Sequence, residues 1–310
     1  MTTRICRALI LTARPGGVLL SEADVARVRA TVPPDAVIEA RWLASGEAWE
    51  MLFSDDDDHG SWGRRAKALA ALGPLPADVN VVADDIAYRR KKLLVADMES
   101  TIIEQEMLDE LADFVGLREK ISGITERAMR GELDFEAALK ERVGLLAGLD
   151  AKVLDEVAER ITLMPGAQTL IRTLKADGCY CALVSGGFTV FTERIAARLG
   201  FDEHQANVLE VAGGKLTGRV LEPILGREAK LHALQRLTTK LGLPPPLTLA
   251  VGDGANDLAM LEAAGLGVAF RAKPMVREAA SQLQNGATIT HGDLTGLLYL
   301  QGYQKTELPA

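Results

Sequence analysis

A chain of 310 residues, 48% apolar and 25% charged, can bury a core and keep a hydrated surface; its length fits two domains or one large one. The formal net charge of −8 excludes a broad nucleic-acid surface, which needs clustered lysine and arginine, but not a small anionic substrate in a locally basic pocket. Three cysteines, Cys6, Cys179 and Cys181, form no CxxC pair, so neither a disulfide framework nor a thiolate metal site is implied.

The first segment, 1–88, reads as a small α/β unit. Arg4 to Thr12 is an apolar strand ending at Arg14-Pro15-Gly16-Gly17. Ser21 caps a helix through Val25, Val28 and Val32, which Pro33-Pro34 stops. Ala36 to Leu43 and Ala48 to Phe53 read as strands, Ser61 to Leu72 as a helix ended by Gly73-Pro74, and Val79 to Ala83 as a last strand. The order is βαββαβ, the split βαβ of ferredoxin-like folds, and by element order alone it resembles an ACT-type module. Asp55 to Asp58 reads as a solvated loop, because a calcium loop needs spaced oxygens and a glycine at the bend. Arg89-Arg90-Lys91-Lys92 reads as a solvated basic linker that marks a boundary.

The second segment, 92–310, has a different pattern. Leu93 to Ala96 is a short buried strand that ends in Asp97. Residues 104–161 are almost wholly helical, with breaks at Gly116, Gly131 and Gly148. Then come a helix near 167–176, a strand at 179–184, a helix at 189–199, a hairpin from Val208 to Val220 turning at Gly213-Gly214, a strand at 248–252, a helix at 256–264 and a strand at 267–270. Cys179 and Cys181 alternate in an apolar run and should pack on one face of their strand. Strands alternating with helices imply a parallel, doubly wound, Rossmann-like core, and the helical block at about 104–164 is a cap inserted after its first strand. No signal-peptide pattern and no membrane-spanning apolar run is found, so a cytoplasmic setting without a membrane partner is expected.

Three strand ends carry chemistry. Asp97 and Glu99 lie two residues apart in Asp97-Met98-Glu99-Ser100-Thr101; one carboxylate can attack phosphorus while the other moves protons. Gly252-Asp253-Gly254-Ala255-Asn256-Asp257 offers close backbone approach and two hard oxygen ligands, Asp253 and Asp257, of the type Mg²⁺ takes. Val184-Ser185-Gly186-Gly187 offers a hydroxyl and free N–H groups for phosphoryl oxygens. Lys230 can neutralise a phosphoryl group. Taken singly, these features also fit an acidic surface turn, an ordinary glycine-rich turn, a capping serine and a solvated lysine. His59, His204, His232 and His291 show no metal-like spacing and fit surface or capping roles.

In this order, the strand-end aspartate, Ser-Gly, Lys and Gly-Asp-Gly-Xaa-Asn-Asp motifs resemble the haloacid dehalogenase superfamily over about residues 92–300. Asp97-Met-Glu-Ser-Thr, Ser185-Gly-Gly-Phe and Gly252-Asp-Gly-Ala-Asn-Asp are similar, at all but one position, to the motifs of its phosphoserine phosphatases. That resemblance implies Mg²⁺-dependent hydrolysis of O-phosphoserine through an aspartyl phosphate, the last step of serine biosynthesis. It implies Asp97 as nucleophile and Glu99 as acid and base. Ser185, the Gly186 N–H and Lys230 would stabilise charge, and Asp97, the Glu99 carbonyl, Asp253 and Asp257 would hold the metal. Asn256 would position substrate or Lys230. In the cap, Glu106 would meet the substrate amine and Arg142, within Phe135-Glu136-Ala-Ala-Leu-Lys-Glu-Arg142-Val, its carboxylate. The departure is Glu99, where the family usually has aspartate; a rotamer or backbone shift must absorb the extra methylene. The alternatives are a phosphatase for another small phosphomonoester, or an amino-acid-sensing protein with an impaired phosphatase domain. ACT-like units also pair with copies of themselves, which makes a homodimer an expectation.

Overall fold

Alternating apolar side chains in the first segment give one sheet two hydrophobic faces. The computed structural model describes residues 5–55, 60–85, 87–129 and 132–309. Strand β1 (Ile5–Ala13) leads to helix α1 (Glu22–Arg29). Ser21 caps α1 as its sequence predicts: its hydroxyl accepts the Asp24 N–H at 3.3 Å, and the Asp24 carboxylate accepts the Ser21 N–H at 2.8 Å. Strands β2 (Val37–Ala44) and β3 (Ala48–Asp55), helix α2 (Gly60–Leu72) and strand β4 (Ala77–Ala83) follow. The sheet order is β2-β3-β1-β4 with every neighbour antiparallel, which is the split βαβ arrangement expected from element order. Of the aspartate run 55–58, all but Asp55 lies outside the described residues, as does His59.

One face of this sheet packs Leu9, Leu11, Met51, Phe53, Val79 and Val81 under α1 and α2. The other presents Ala8, Ile10, Ala48 and Val82, which merge with the core of the second segment. That docking explains why the N-terminal sheet alternates apolar residues towards both sides.

The second segment begins at β5 (Leu93–Ala96). Helices α3 (Met107–Phe114), α4 (Arg118–Met129), α5 (Phe135–Gly144) and α6 (Val153–Ala158) form the cap. Gly116 and Gly148 have positive φ and end helical stretches; Gly131 lies outside the described residues. A bridge between Ile103 and Leu163 closes the base of the insertion. Then come α7 (Ala167–Ala176), β6 (Tyr180–Phe188), α8 (Thr189–Leu199) and a hairpin of β7 (Glu203–Ala212) and β8 (Lys215–Leu221). Helix α9 (Ala229–Lys240), β9 (Thr248–Gly252), α10 (Leu258–Ala263), β10 (Leu266–Phe270), α11 (Pro274–Gln282), β11 (Gly286–Ile289) and α12 (Gly296–Leu300) complete the chain. Among the described residues the sheet order is β11-β10-β9-β5-β6-β7-β8, parallel throughout except for β8.

This order decides where chemistry can occur. Strand β5 is central, between β9 and β6, so the three motif-bearing strand ends open side by side at the carboxyl edge. The hairpin props the cap: the Gly148 N–H donates to Leu216 O at 2.8 Å and the Ala151 N–H to Gly214 O at 2.9 Å. Cys179 and Cys181 are buried in one core, as their alternation predicts. No described helix is long and apolar enough to cross a membrane.

Two sequence expectations need correction. The strand expected at 179–184 runs on to Phe188, because after a bulge that takes up the two glycines Phe188 pairs again, with Asn207. The basic linker is only half solvated: Arg90 and Lys92 stay partly exposed, but Arg89 and Lys91 are largely buried. Lys91 Nζ donates to Tyr88 O at 2.8 Å and Pro246 O at 2.7 Å, and Arg89 pairs with Glu50 and with Asp84. Lys92 reaches Asp177, and Arg90 lies over the Tyr303 ring and pairs with Glu307. The run marks the boundary by stitching it.

Candidate active site

The apolar residues of β5 leave Asp97 as the first polar group beyond the strand. Its N–H still donates to Val251 O at 3.0 Å, so the backbone holds it in the sheet while its side chain faces the carboxyl edge. Asp97 Oδ1 accepts the Met98 N–H at 2.7 Å, and Oδ2 meets Lys230 Nζ at 2.7 Å. From the neighbouring strand end, Asp257 Oδ1 meets the same ammonium at 2.5 Å while its Oδ2 accepts the Gly254 N–H at 2.9 Å. Glycine is required beside it: a side chain on Gly252 would collide with the Asp257 carboxylate. Lys230, in the first turn of α9, is 3% exposed, and the two carboxylates hold it protonated against the cost of its burial.

Ligand oxygens of Asp97, Asp253 and Asp257 all lie within 4.8 Å of one another. Burial pushes the Asp97 carboxyl up; Lys230 pulls it down, and Asp257 and Asp253 push it further up. Asp253 is pushed up to about 6 by burial first and by Asp257 next. Three carboxylates against one ammonium leave a surplus of negative charge in a buried space. A hard divalent cation fits that donor set.

Glu99 lies between this cluster and the cap. Its Oε1 accepts the Met107 N–H at 2.9 Å, at the start of α3, so the extra methylene reaches the N-terminus of a cap helix. The other side is closed, since a Cβ on Gly187 would lie 2.9 Å from the Glu99 carboxylate oxygens. Burial, helped by the charge of Glu106, pushes the Glu99 carboxyl up to about 7, against the Met107 N–H, Lys230 and Arg142. Ser100 adopts a left-handed conformation, φ 53°, which costs a side-chain-bearing residue about 1–2 kcal/mol. Its hydroxyl donates to Glu106 Oε1 at 2.7 Å, which ties the turn after Asp97 to the cap.

The two cap residues singled out by sequence share this space. Glu106 precedes α3 but makes no side-chain capping bond, so its carboxylate is not spent on the helix. Arg142, in the last turn of α5, bonds only its own helix, Nε to Ala138 O at 3.2 Å. Among the described residues no carboxylate lies within ion-pair distance of it, although Asp109, Glu99 and Glu106 all act on its charge. A half-buried guanidinium without a contact partner has its planar donor fork available.

Ser185 is 2% exposed and its Oγ accepts the Gly187 N–H at 2.9 Å. Ser185, Gly186, Lys230 and Asn256 line one small cavity, and Phe135 from α5 closes it from above. The structure therefore gathers Asp97, Glu99, Ser185, Gly186, Lys230, Asp253, Asn256 and Asp257 at one strand edge, with Glu106 and Arg142 facing them from the cap. Of the described histidines, His204 bonds the Thr192 hydroxyl and the His291 backbone N–H donates to Asp78. Sequence reasoning missed Phe135 as a wall, though its motif was noted, and missed Asn207, which bonds the Gly186 carbonyl.

Known proteins resemble this chain in sequence and in fold. Residues 94–262 match the haloacid dehalogenase-like hydrolases. The chain is 48% identical over 245 residues to a phosphoserine phosphatase of Streptomyces coelicolor, covering 79% of this chain and 58% of that one. It thus spans less than two thirds of the length of several curated relatives that it matches. A crystal structure of a probable phosphoserine phosphatase from Vibrio cholerae, unliganded, superposes with a TM-score of 0.76 at 31% identity, over 97% of this chain and 88% of that one. A substrate-bound phosphoserine phosphatase complex superposes with a TM-score of 0.62 at 39% identity, over 68% of this chain and 98% of that one.

Proposed function

The chain belongs to the haloacid dehalogenase-like hydrolase family, and from that premise we propose that it hydrolyses O-phosphoserine to serine and phosphate. The observation that carries the substrate is a carboxylate, Glu106, held only by the Ser100 hydroxyl, beside a guanidinium, Arg142, that has no carboxylate partner among the described residues, both close to Glu99. An amine and a carboxylate on the small phosphomonoester would meet opposite charges there.

The chemistry follows from the remaining contacts. Asp97 attacks phosphorus, the bond from phosphorus to the serine oxygen breaks, and an aspartyl phosphate forms. Lys230 sits 2.7 Å from the attacking carboxylate and offsets the charge gathering on the phosphoryl oxygens. The Ser185 hydroxyl and the Gly186 N–H, which line the same cavity as Lys230, would donate to the same oxygens. Glu99, whose carboxyl keeps its proton to about pH 7, gives that proton to the leaving serine oxygen. The resulting carboxylate then takes a proton from water as water attacks the aspartyl phosphate, which releases phosphate and restores Asp97. Mg²⁺ would be held by Asp97, Asp253, Asp257 and the Glu99 carbonyl, and when bound supplies positive charge between carboxylates and phosphoryl group. Asn256 lines the cavity beside Lys230 and would orient substrate. The cap keeps bulk water from the intermediate.

Residues 1–88 form, on this reading, a separate ACT-like unit and 92–310 the hydrolase. The test is a phosphate-release panel of small phosphomonoesters, with and without Mg²⁺. O-phosphoserine is expected to exceed esters lacking the amine or carboxylate. Equal rates across the panel would replace it with a less selective phosphatase.

A further inference from the structure

Asn207 lies in β7, behind the Ser185 strand end, and is 1% exposed. Its Nδ2 donates to Gly186 O at 2.8 Å and its Oδ1 accepts the Leu225 N–H at 2.8 Å. A carbonyl on one side and an N–H on the other fix which end of the amide is which. The Gly186 carbonyl and the Gly187 N–H belong to one planar peptide, so holding one aims the other. That Gly187 N–H donates to Ser185 Oγ at 2.9 Å. A hydroxyl that accepts from its own backbone has its proton free to donate elsewhere, here into the cavity shared with Lys230 and Asn256. The second arm of Asn207 holds Leu225, in the segment that lines the same cavity and leads into α9 and Lys230.

We infer that Asn207 is a positioning residue for phosphoryl transfer: it locks the Gly186–Gly187 peptide and thereby directs the Ser185 hydroxyl to the phosphoryl oxygens. This rests on the phosphatase reading above. A residue that only stabilises the fold would lower the melting temperature and act independently of Ser185, whereas a residue acting through Ser185 loses its effect once that hydroxyl is gone.

The experiment is a double-mutant cycle on the full chain with Asn207→Ala and Ser185→Ala, read as kcat and KM for O-phosphoserine with Mg²⁺. Asn207→Ala is expected to lower kcat about 10–100-fold with KM within about threefold, since small misplacements of a catalytic donor cost that much. In the Ser185→Ala background the same change should cost less than about threefold. Equal costs in both backgrounds, or no cost in either, overturn the proposal. Where Asn207→Ala fails to fold, Asn207→Ser replaces it, because it keeps a small polar group in the buried site but is too short to hold both Gly186 and Leu225. If the unmutated chain releases no phosphate from O-phosphoserine, the phosphatase reading has failed, and the cycle is read instead by calorimetric binding of inorganic phosphate with Mg²⁺. Non-additive losses of binding then support the Asn207–Ser185 link and additive losses overturn it.

Discussion

The strand edge around Asp97 and the seam where the N-terminal sheet docks are both buried and polar, and they treat charge in opposite ways. At the seam the carboxylates and amides are spent, and only single atoms such as Arg89 Nε and Thr12 Oγ1 lack a partner among the described residues. The Asp78 carboxylate takes the N–H groups of Thr290, His291 and Gly292 at 2.8–3.2 Å. Asn80 bonds Thr288 in both directions, 2.9 Å to its carbonyl and 2.8 Å from its N–H. Glu50, fully buried, lies between Arg89 and Arg41. At the strand edge three carboxylates crowd one lysine, and an arginine and a glutamate of the cap act on Glu99 without pairing with each other. Satisfied buried networks hold parts together; surplus charge in a cleft marks where a ligand completes the balance.

Variants should divide along that line. The largest effect is expected from Asp97→Asn, which should lower Mg²⁺-dependent phosphate release from O-phosphoserine by at least about 10³-fold. Its thermal midpoint should stay near that of the parent, because the amide removes one of several crowded charges. Activity within tenfold of the parent would break the comparison. Asp78→Ala should do the reverse. It strands three buried N–H groups and should cost about 2–4 kcal/mol in urea unfolding, with kcat of the folded fraction unchanged. A loss of kcat at full stability would instead make the seam part of the catalytic apparatus.

Arg142→Ala sharpens the site side. A charge-assisted bidentate contact contributes about 1.5–3 kcal/mol, so KM for O-phosphoserine should rise on the order of 10–100-fold. Hydrolysis of an ester without a carboxylate should hardly change. A matching rise for both esters would leave Arg142 as a helix residue only.

The smallest effect is a pH dependence at the seam. Burial, and then the charge of Arg89, lower Lys91 from the ordinary 10.5 to about 8. Below pH 8 folded and unfolded chains both hold the proton, and the buried ammonium costs stability in full. Between about 8 and 10.5 the folded chain releases it first, so this group's contribution rises with pH. Urea midpoints from pH 8 to 10 should therefore rise in the parent relative to Lys91→Met. A flat or falling difference would show that Lys91 pays no burial penalty.

The sequence exposed the site far better than the seam, for a physical reason. Asp97 ends an apolar strand, and Asp253, Asp257 and Ser185 sit where such strands meet glycines, so chain pattern alone places them at a shared edge. Lys230 had no local signal and became legible only by its order among the motifs. Asn207 had none at all: its partners are 21 and 18 residues away, and an asparagine in a hairpin strand looks like any polar strand residue. Arg89 to Lys92 looked solvated because its partners, Glu50, Pro246, Asp177 and Glu307, come from four distant places. For the same reason Asp78, which anchors three N–H groups more than 200 residues away, could be read only as a polar residue before a strand.

The most direct test of Asp97 as the attacking group is an acid quench of the chain mixed with Mg²⁺ and O-phosphoserine carrying a labelled phosphate. Label on the peptide that contains Asp97, lost in Asp97→Asn, is the expected result. Phosphate release in the parent with no label on the protein at any quench time, or label persisting in Asp97→Asn, would contradict it.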